Sequence, residues 1–330
     1  MLVSDFNYEL PEARIAKFPP SERGATRLLV LNRQTGAIKD TYYRDLTEFL
    51  NPGDLLILND TRVMQSRLFC TLPDGRKREL VVLEKHGDEP ARVMYRGKLH
   101  VGDILMPGNI VIKNLLGNGI AEVESEIPLA DLAEQYGSVP LPPYLHRDAT
   151  KDDKARYQTV WAKHMGSAAA PTASLNMTAE LLDRLKARGV TIRSLTLHVG
   201  LGTFLPIRTD HIEDHKMHSE WYHIPKDTLD EIQRVKSAGK RVIALGTTVA
   251  RTLEYYARTN QAEGEDDIFI YPGFEFQLVD ALITNFHAPK STVLMLASAF
   301  AGWNHLKIAY EHAIKEQYQF LSYGDSMLIC

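Results

Sequence analysis

The sequence predicts an α/β protein in which a discontinuous α/β main domain, residues 1–65 and 150–330, is interrupted by an inserted small β-barrel domain at residues 66–149. Three observations point there. From residue 178 onward, apolar runs of strand character alternate with segments of helical periodicity. Between residues 66 and 139 the texture changes to short runs broken by turn signals, as in a small all-β unit. The apolar run at residues 55–58, ahead of that change, has the buried character of the strands behind it, which places both flanks in one sheet.

In chain order, residues 27–31 and 55–58 predict strands, punctuated by Thr35-Gly36 and Asn51-Pro52-Gly53. Runs at 79–83, 91–95, 110–115 and 120–123 follow, separated by Asp74-Gly75, Gly87-Asp88, Pro107-Gly108 and Gly117-Asn118. A helical segment at 129–136 closes the barrel, and the proline-rich PLPPYLHRD at 140–148 marks its boundary. Residues 179–188 then spell an amphipathic helix capped by Thr178, and 191–197 a strand. Helices at 226–238, 249–257, 292–300 and 305–316, the last with Asn304 as its cap, alternate with strands at 241–245 and 278–284.

Composition limits the function classes. With 330 residues, 44% of them hydrophobic, the chain fills a core larger than one average domain needs. Its 38 basic and 42 acidic residues give a net charge of -4, so any contact with RNA has to be a local patch. Cys70 and Cys330 are too few and too separated for a disulfide framework and fit a reducing compartment. The first residues carry acids and no long apolar run, and nothing approaches the roughly 20 apolar residues that span a bilayer. The expectation is a cytoplasmic protein without membrane association, with a monomer as the working oligomeric state.

In open α/β sheets ligands bind beyond the C-terminal strand ends. Four predicted strands run into polar loops that together outline one expected pocket: Asn59-Asp60-Thr61-Arg62, His198 with Gly200, Gly202 and Thr203, Gly246-Thr247-Thr248, and Asn285 with His287. Gly246-Thr247-Thr248 lies between strand and helix, where free backbone N–H groups can hold an anion, although a turn with a cap reads the same way. Gly200 and Gly202 lack the third glycine of a dinucleotide fingerprint and indicate a tight turn or a close backbone approach. Asn59, Asp60 and Thr61 equally suit a side-chain-capped turn. The densest ionisable cluster holds His211, His215, His218 and Glu220. On a helix its histidines would share a face and resemble a metal site, but the intervening acids favour a loop, used for acid–base chemistry or only solvated. Tyr323-Gly324-Asp325 is either a structural turn or a late-arriving carboxylate.

Blocks along nearly the whole chain, among them NPGDLLILNDTRV at 51–63, PLPPYLHRD, LHVGLGTFLPI at 197–207, IEDHKMHSEWY at 212–222, ALGTTVART at 244–252 and FLSYGDSMLI at 320–329, resemble the S-adenosylmethionine:tRNA ribosyltransferase-isomerase family of the queuosine pathway. The resemblance implies an α/β domain with an inserted barrel. It also implies transfer and isomerisation of the ribosyl moiety of S-adenosylmethionine onto 7-aminomethyl-7-deazaguanine at the tRNA wobble position, giving epoxyqueuosine, adenine and methionine. The implied partners are S-adenosylmethionine and tRNA, with no metal or other cofactor.

Within that frame His215, His218 and Glu220 are candidates for proton transfer and sulfonium contact. His198, Asn285 and His287 are candidates for positioning the ribose or base. Thr247 and Thr248 are candidates for a methionine carboxylate or an RNA phosphate, and Arg62, Arg251 and Lys290 for phosphates, although each cation also suits an ordinary ion pair. Pro171, Thr172 and Asn176 are expected at the substrate. At Asn176 the chain departs from its family: after Ala170-Pro171-Thr172-Ala173, where Gly-Leu-His-Phe-Thr is usual, it has Ser174-Leu175-Asn176-Met177-Thr178. Asn176 cannot exchange protons near neutral pH, which motivates two alternatives: a diverged paralogue with another acceptor, or a catalytically weak RNA-binding scaffold.

Overall fold

The computed structural model describes residues 1–83, 90–117, 119–200, 202 and 207–330. Turn residues Gly87, Asp88 and Asn118, and the candidate ligand contact Thr203, lie outside the described residues.

In chain order the strands are β1 (Arg27–Leu31), β2 (Ile38–Tyr42), β3 (Leu55–Asn59), β4 (Thr61–Val63), β5 (Arg67–Thr71), β6 (Lys77–Val82), β7 (Arg92–Arg96), β8 (Ile104–Leu105), β9 (Ile110–Gly117), β10 (Ile120–Glu124), β11 (His164–Ser167), β12 (Thr191–Leu197), β13 (Glu220–His223), β14 (Val242–Leu245), β15 (Glu263–Asp266), β16 (Ala281–Asn285) and β17 (Ser326–Ile329). The helices are α1 (Leu129–Tyr136), α2 (Lys151–Arg156), α3 (Ala179–Ala187), α4 (Lys226–Ser237), α5 (Thr247–Thr259), α6 (Thr292–Ala301) and α7 (Trp303–Lys315).

Among the described residues the main sheet has nine strands in the order β15-β13-β12-β3-β14-β16-β17-β1-β2. Its centre is parallel: β12 pairs with β3, β3 with β14, and β14 with β16. Strands buried on both faces read as unbroken apolar runs, which is why Leu55 to Leu58 is legible as a strand. Leu55, Ile57, Val242 and Ala244 face one core, with residues of α4 to α7. Leu56, Leu58, Ile243 and Leu245 face the other, with Leu181, Leu182 and Leu185 of α3. Helix α3 starts where Thr178 predicts, since its hydroxyl accepts a bond from Leu181 N–H at 3.1 Å. Helix α7 begins two residues before the predicted start. Gly302, at φ 79°, precedes it in place of the expected Asn304 cap.

The inserted strands form an antiparallel sheet in the order β5-β6-β7-β10-β9-β8. Thr71 and Met106 exchange both backbone hydrogen bonds at 2.9 Å, so the two ends of the sheet meet and the barrel nearly closes. Leu68, Leu80, Val93, Ile112 and Ala121 fill its interior, against Leu132 and Ala133 of α1. The α/β architecture with an inserted barrel is therefore the observed fold class. The chain leaves the main sheet through β4 and returns through β11, and these two strands pair in parallel, Thr61 opposite His164. Among the described residues no helix is long and apolar enough to cross a membrane.

Candidate functional site

Strands β12, β3, β14 and β16 end on the same side of the sheet, but their loops do not outline the single expected pocket. They serve two cavities, and some of the predicted residues reach neither.

The first cavity, of about 540 Å³, lies over β14 and β16. Its volume is in the range of roughly 300–1,000 Å³ typical of small-molecule sites. At its floor β14 turns into α5 through Gly246, whose φ of 104° disfavours any side chain. Helix α5 has no side-chain cap, and its first internal bond runs from Ala250 N–H to Gly246 O. The N–H groups of Thr247, Thr248 and Val249 therefore have no partner within the helix, and the positive end of its dipole faces the cavity. Beside them, Thr172 Oγ1 donates to Asn285 Oδ1 at 2.9 Å, and the buried Asn285 Nδ2 finds no hydrogen-bond partner among the described residues. Turning the amide over only exchanges which of its atoms is unmatched. Thr248 Oγ1 is likewise buried and unmatched among the described residues.

His287 lines the same cavity. Burial pushes its imidazole down to about 3, so the ring is neutral, with Nε2 2.8 Å from Thr284 Oγ1. Its main chain is anchored on both sides, the N–H donating to Tyr310 Oη at 2.9 Å and the carbonyl accepting from Tyr8. Pro171, Thr172 and Lys290 also line this space, as do Tyr144 and Tyr157, which went unread because a lone tyrosine has no spacing signal.

A narrow extension of about 50 Å³ shares Thr247, Thr248 and Val293 with the first cavity and reaches Glu220 and Arg251. Glu220 Oε2 accepts from Arg251 Nη2 at 2.6 Å, and Oε1 accepts from Gly200 N–H at 2.7 Å. His218 Nε2 lies 3.2 Å from Oε1 as an ion-pair contact that lacks the geometry of a directed hydrogen bond. Burial opposes ionisation of Glu220, but Arg251 foremost, then His218 and the Gly200 amide, hold its carboxyl below the ordinary range. A side chain at Gly202 would stand 2.3 Å from the His218 ring, so this glycine is dictated by close approach. His215 packs edge-on against Phe269 at 5.2 Å, and burial, with His218 nearby, lowers its pKa. The segment holding His211, His215 and His218 is a single short 3-10 turn, Ile212–Asp214, so the three rings do not share a helical face.

The second cavity, of about 1140 Å³, lies between the barrel and the edge of the main sheet. His198 belongs here. Its ring stacks on Trp221 at 5.1 Å, and Nδ1 sits 2.7 Å from Thr61 Oγ1.

Several expected contacts are corrected. Arg251 is 6% exposed and ion-paired with Glu220 and Asp266, so it cannot meet an RNA phosphate. Asn59 bridges strands, donating to Leu197 O at 2.9 Å and accepting from Leu197 and Thr61 N–H at 3.1 Å. Asp60 accepts from Ser194 and Thr196 hydroxyls at 2.8 and 2.7 Å. These residues brace the strand ends. Asn176 lines neither cavity; its buried amide donates to Gly324 O at 2.9 Å and Ser326 Oγ at 3.1 Å. Asp325 resolves as a structural group, accepting from Arg27 and Gln319 N–H at 2.7 Å. Arg62 is exposed outside the first cavity.

A family model described as "Queuosine biosynthesis protein" matches residues 3–329. The chain belongs to this family. Relatives named S-adenosylmethionine:tRNA ribosyltransferase-isomerase from Pelodictyon phaeoclathratiforme and Chlorobium phaeobacteroides are 54% and 55% identical to it, each alignment covering 100% of both chains. A crystal structure titled as S-adenosylmethionine tRNA ribosyltransferase from Thermotoga maritima superimposes with a TM-score of 0.58 at 34% identity, covering 99% of this chain and 100% of that one. For a queuosine biosynthesis protein, the Ser174 to Met177 departure now has a location. Ser174 and Met177 are fully buried, and Asn176 is tied to the turn before β17.

Proposed function

We propose that the chain is an S-adenosylmethionine:tRNA ribosyltransferase-isomerase. It moves the ribosyl part of S-adenosylmethionine onto 7-aminomethyl-7-deazaguanine at the tRNA wobble position, with epoxyqueuosine-tRNA, adenine and methionine as products. S-adenosylmethionine is the ribosyl donor, and no metal or other cofactor takes part. The observation that carries this reading is the first cavity, lined by the N-terminus of a helix without a side-chain cap and by Asn285 and Thr248, whose polar atoms are unmatched among the described residues. Such a site suits a small ligand with few polar anchors.

The chemistry asks for a base near C5′ of the donor, whose protons the sulfonium acidifies, and for an acid near the departing purine. Glu220, held ionised by Arg251, offers a carboxylate to the His218 ring and a negative field to the sulfonium cation. A proton passing to His218 would be stabilised by that carboxylate. The neutral His215 is the second candidate base. His287 acts as a neutral positioning group. His198, in the second cavity beside the barrel, faces the space through which an RNA base approaches.

The test incubates the protein with S-adenosylmethionine and tRNA carrying the aminomethyl-deazaguanine, following adenine release and nucleoside mass. Adenine together with epoxyqueuosine is the expected outcome. Adenine without epoxyqueuosine would replace the acceptor, and RNA binding without turnover would replace the enzyme by a scaffold.

A further inference from the structure

The floor of the first cavity is specialised beyond holding a nucleoside. Helix α5 spans Thr247–Thr259 and opens on Gly246 with no side chain capping it. The N–H groups of Thr247, Thr248 and Val249 have no partner within the helix or among the described residues, and the dipole adds partial positive charge. Strand register puts Asn285 beside them: Leu245 pairs with Ile283, and Gly246 N–H donates to Ile283 O at 2.8 Å. Asn285 is 2% exposed, lines the cavity and, in the orientation shown, keeps its Nδ2 donor unmatched among the described residues. Thr248 Oγ1, also unmatched, lines the cavity from the first turn of the helix. Lys290 at the rim adds a cation.

Backbone amides, an amide side chain and a hydroxyl belong to residues that line one cavity of about 540 Å³. That set fits a planar, singly charged oxyanion held by charge-assisted bonds. We infer that Gly246–Thr248 with Asn285 form a carboxylate subsite that takes the amino-acid end of S-adenosylmethionine. An RNA phosphate is the competing occupant, but the enclosed floor and the neutral donors favour a group carried inside by a small molecule. The inference rests on S-adenosylmethionine being the donor. It adds that the protein selects donors by their carboxylate.

Calorimetric titration of the intact chain with S-adenosylmethionine and with decarboxylated S-adenosylmethionine tests this directly. Losing charge-assisted bonds of this kind should weaken binding of the decarboxylated compound roughly tenfold to a hundredfold. Asn285→Asp, nearly isosteric, puts a carboxylate against the ligand's carboxylate. It should weaken S-adenosylmethionine at least about tenfold while leaving the decarboxylated, more cationic compound unchanged or tighter. Equal wild-type affinity for the two compounds, with adenine release from S-adenosylmethionine intact, overturns the subsite and leaves the proposed function standing. A wild-type protein that neither binds S-adenosylmethionine nor releases adenine overturns both.

Discussion

Removing the cation from the buried Glu220–Arg251–Asp266 group should cost more than any surface ion pair in this protein. Arg251→Met keeps much of the side-chain volume but deletes the Nη2 bond to Glu220 at 2.6 Å, the Nε bond to Asp266 at 3.0 Å and a bond to Asp266 O at 3.2 Å. Breaking a buried pair by removing one partner costs about 3–5 kcal/mol, because the remaining charge stays desolvated. Two carboxylates are stranded here, so a loss of about 4 kcal/mol and a urea midpoint lower by about 1 M or more are expected.

The pH dependence gives an independent check. In the wild type Glu220 is lowered below its unfolded value, so it stabilises above that value, and the contribution fades as pH falls through the folded value. Asp266 remains raised by burial in spite of Arg251, so it costs stability above its unfolded value, and the cost is relieved as pH falls. Without Arg251, burial dominates at both groups and both become raised. The deficit should therefore be largest near pH 7.5 and shrink toward pH 5.5, and Glu220→Gln in the Arg251→Met background should recover part of it. A loss below about 1 kcal/mol, the size of a surface pair, or a deficit equal at the two pH values would refute the reasoning.

Three other outcomes are expected. Gly246→Ala has room for its methyl group but not the conformation, at φ 104°, and should cost about 1–3 kcal/mol in thermal unfolding along with weaker donor binding; a tolerated alanine would mean that the start of α5 is not held there. Asn176→Ala removes bonds to Gly324 and Ser326 and should cost about 1–3 kcal/mol while donor affinity stays within about twofold; an affinity loss at unchanged stability would return this residue to the substrate. Asp153 feels burial against its charge, but Arg147, Tyr323 and Thr150 overcome it and its carboxyl is lowered. Asp153→Asn should thus lose about 1.5–3 kcal/mol at pH 7, with the difference closing as pH drops below the ordinary aspartate value. A difference that widens in acid contradicts the assignment.

What the sequence disclosed follows from how each element is buried. The run Thr191–Leu197 is the observed β12, and Leu129–Tyr136 is the observed α1. The strands Glu220–His223 and Glu263–Asp266 were not legible, because they form the outer end of the sheet, β15 as its edge and β13 next to it, and their charged residues read as polar loop. Loops at strand ends located the cavity but not the direction of each side chain. Asn59 and Asn285 end the parallel strands that flank β14 and are the same residue type, yet one is consumed by its backbone neighbours and the other keeps a polar atom unmatched among the described residues. Partners well separated in the sequence make that difference: Asn59 meets Leu197 and Asn285 meets Thr172, and the role of Arg251 depends on Glu220 and on Asp266, which no motif marked.

The position of β17 constrains the order in which the sheet can be assembled. Ser326–Ile329 is synthesised after every other strand described, yet it lies inside the sheet, between β16 and β1. Leu28 pairs with Ser326, so the β1–β2 hairpin, among the earliest segments made, joins the rest only through one of the latest. While the nascent chain grows, this hairpin waits with an open apolar edge, and the slow, long-range pairing that captures it comes at the close of folding. Chaperone dependence and aggregation during expression should therefore track the integrity of the Ser326–Ile329 strand more closely than that of the barrel, whose pairings are local.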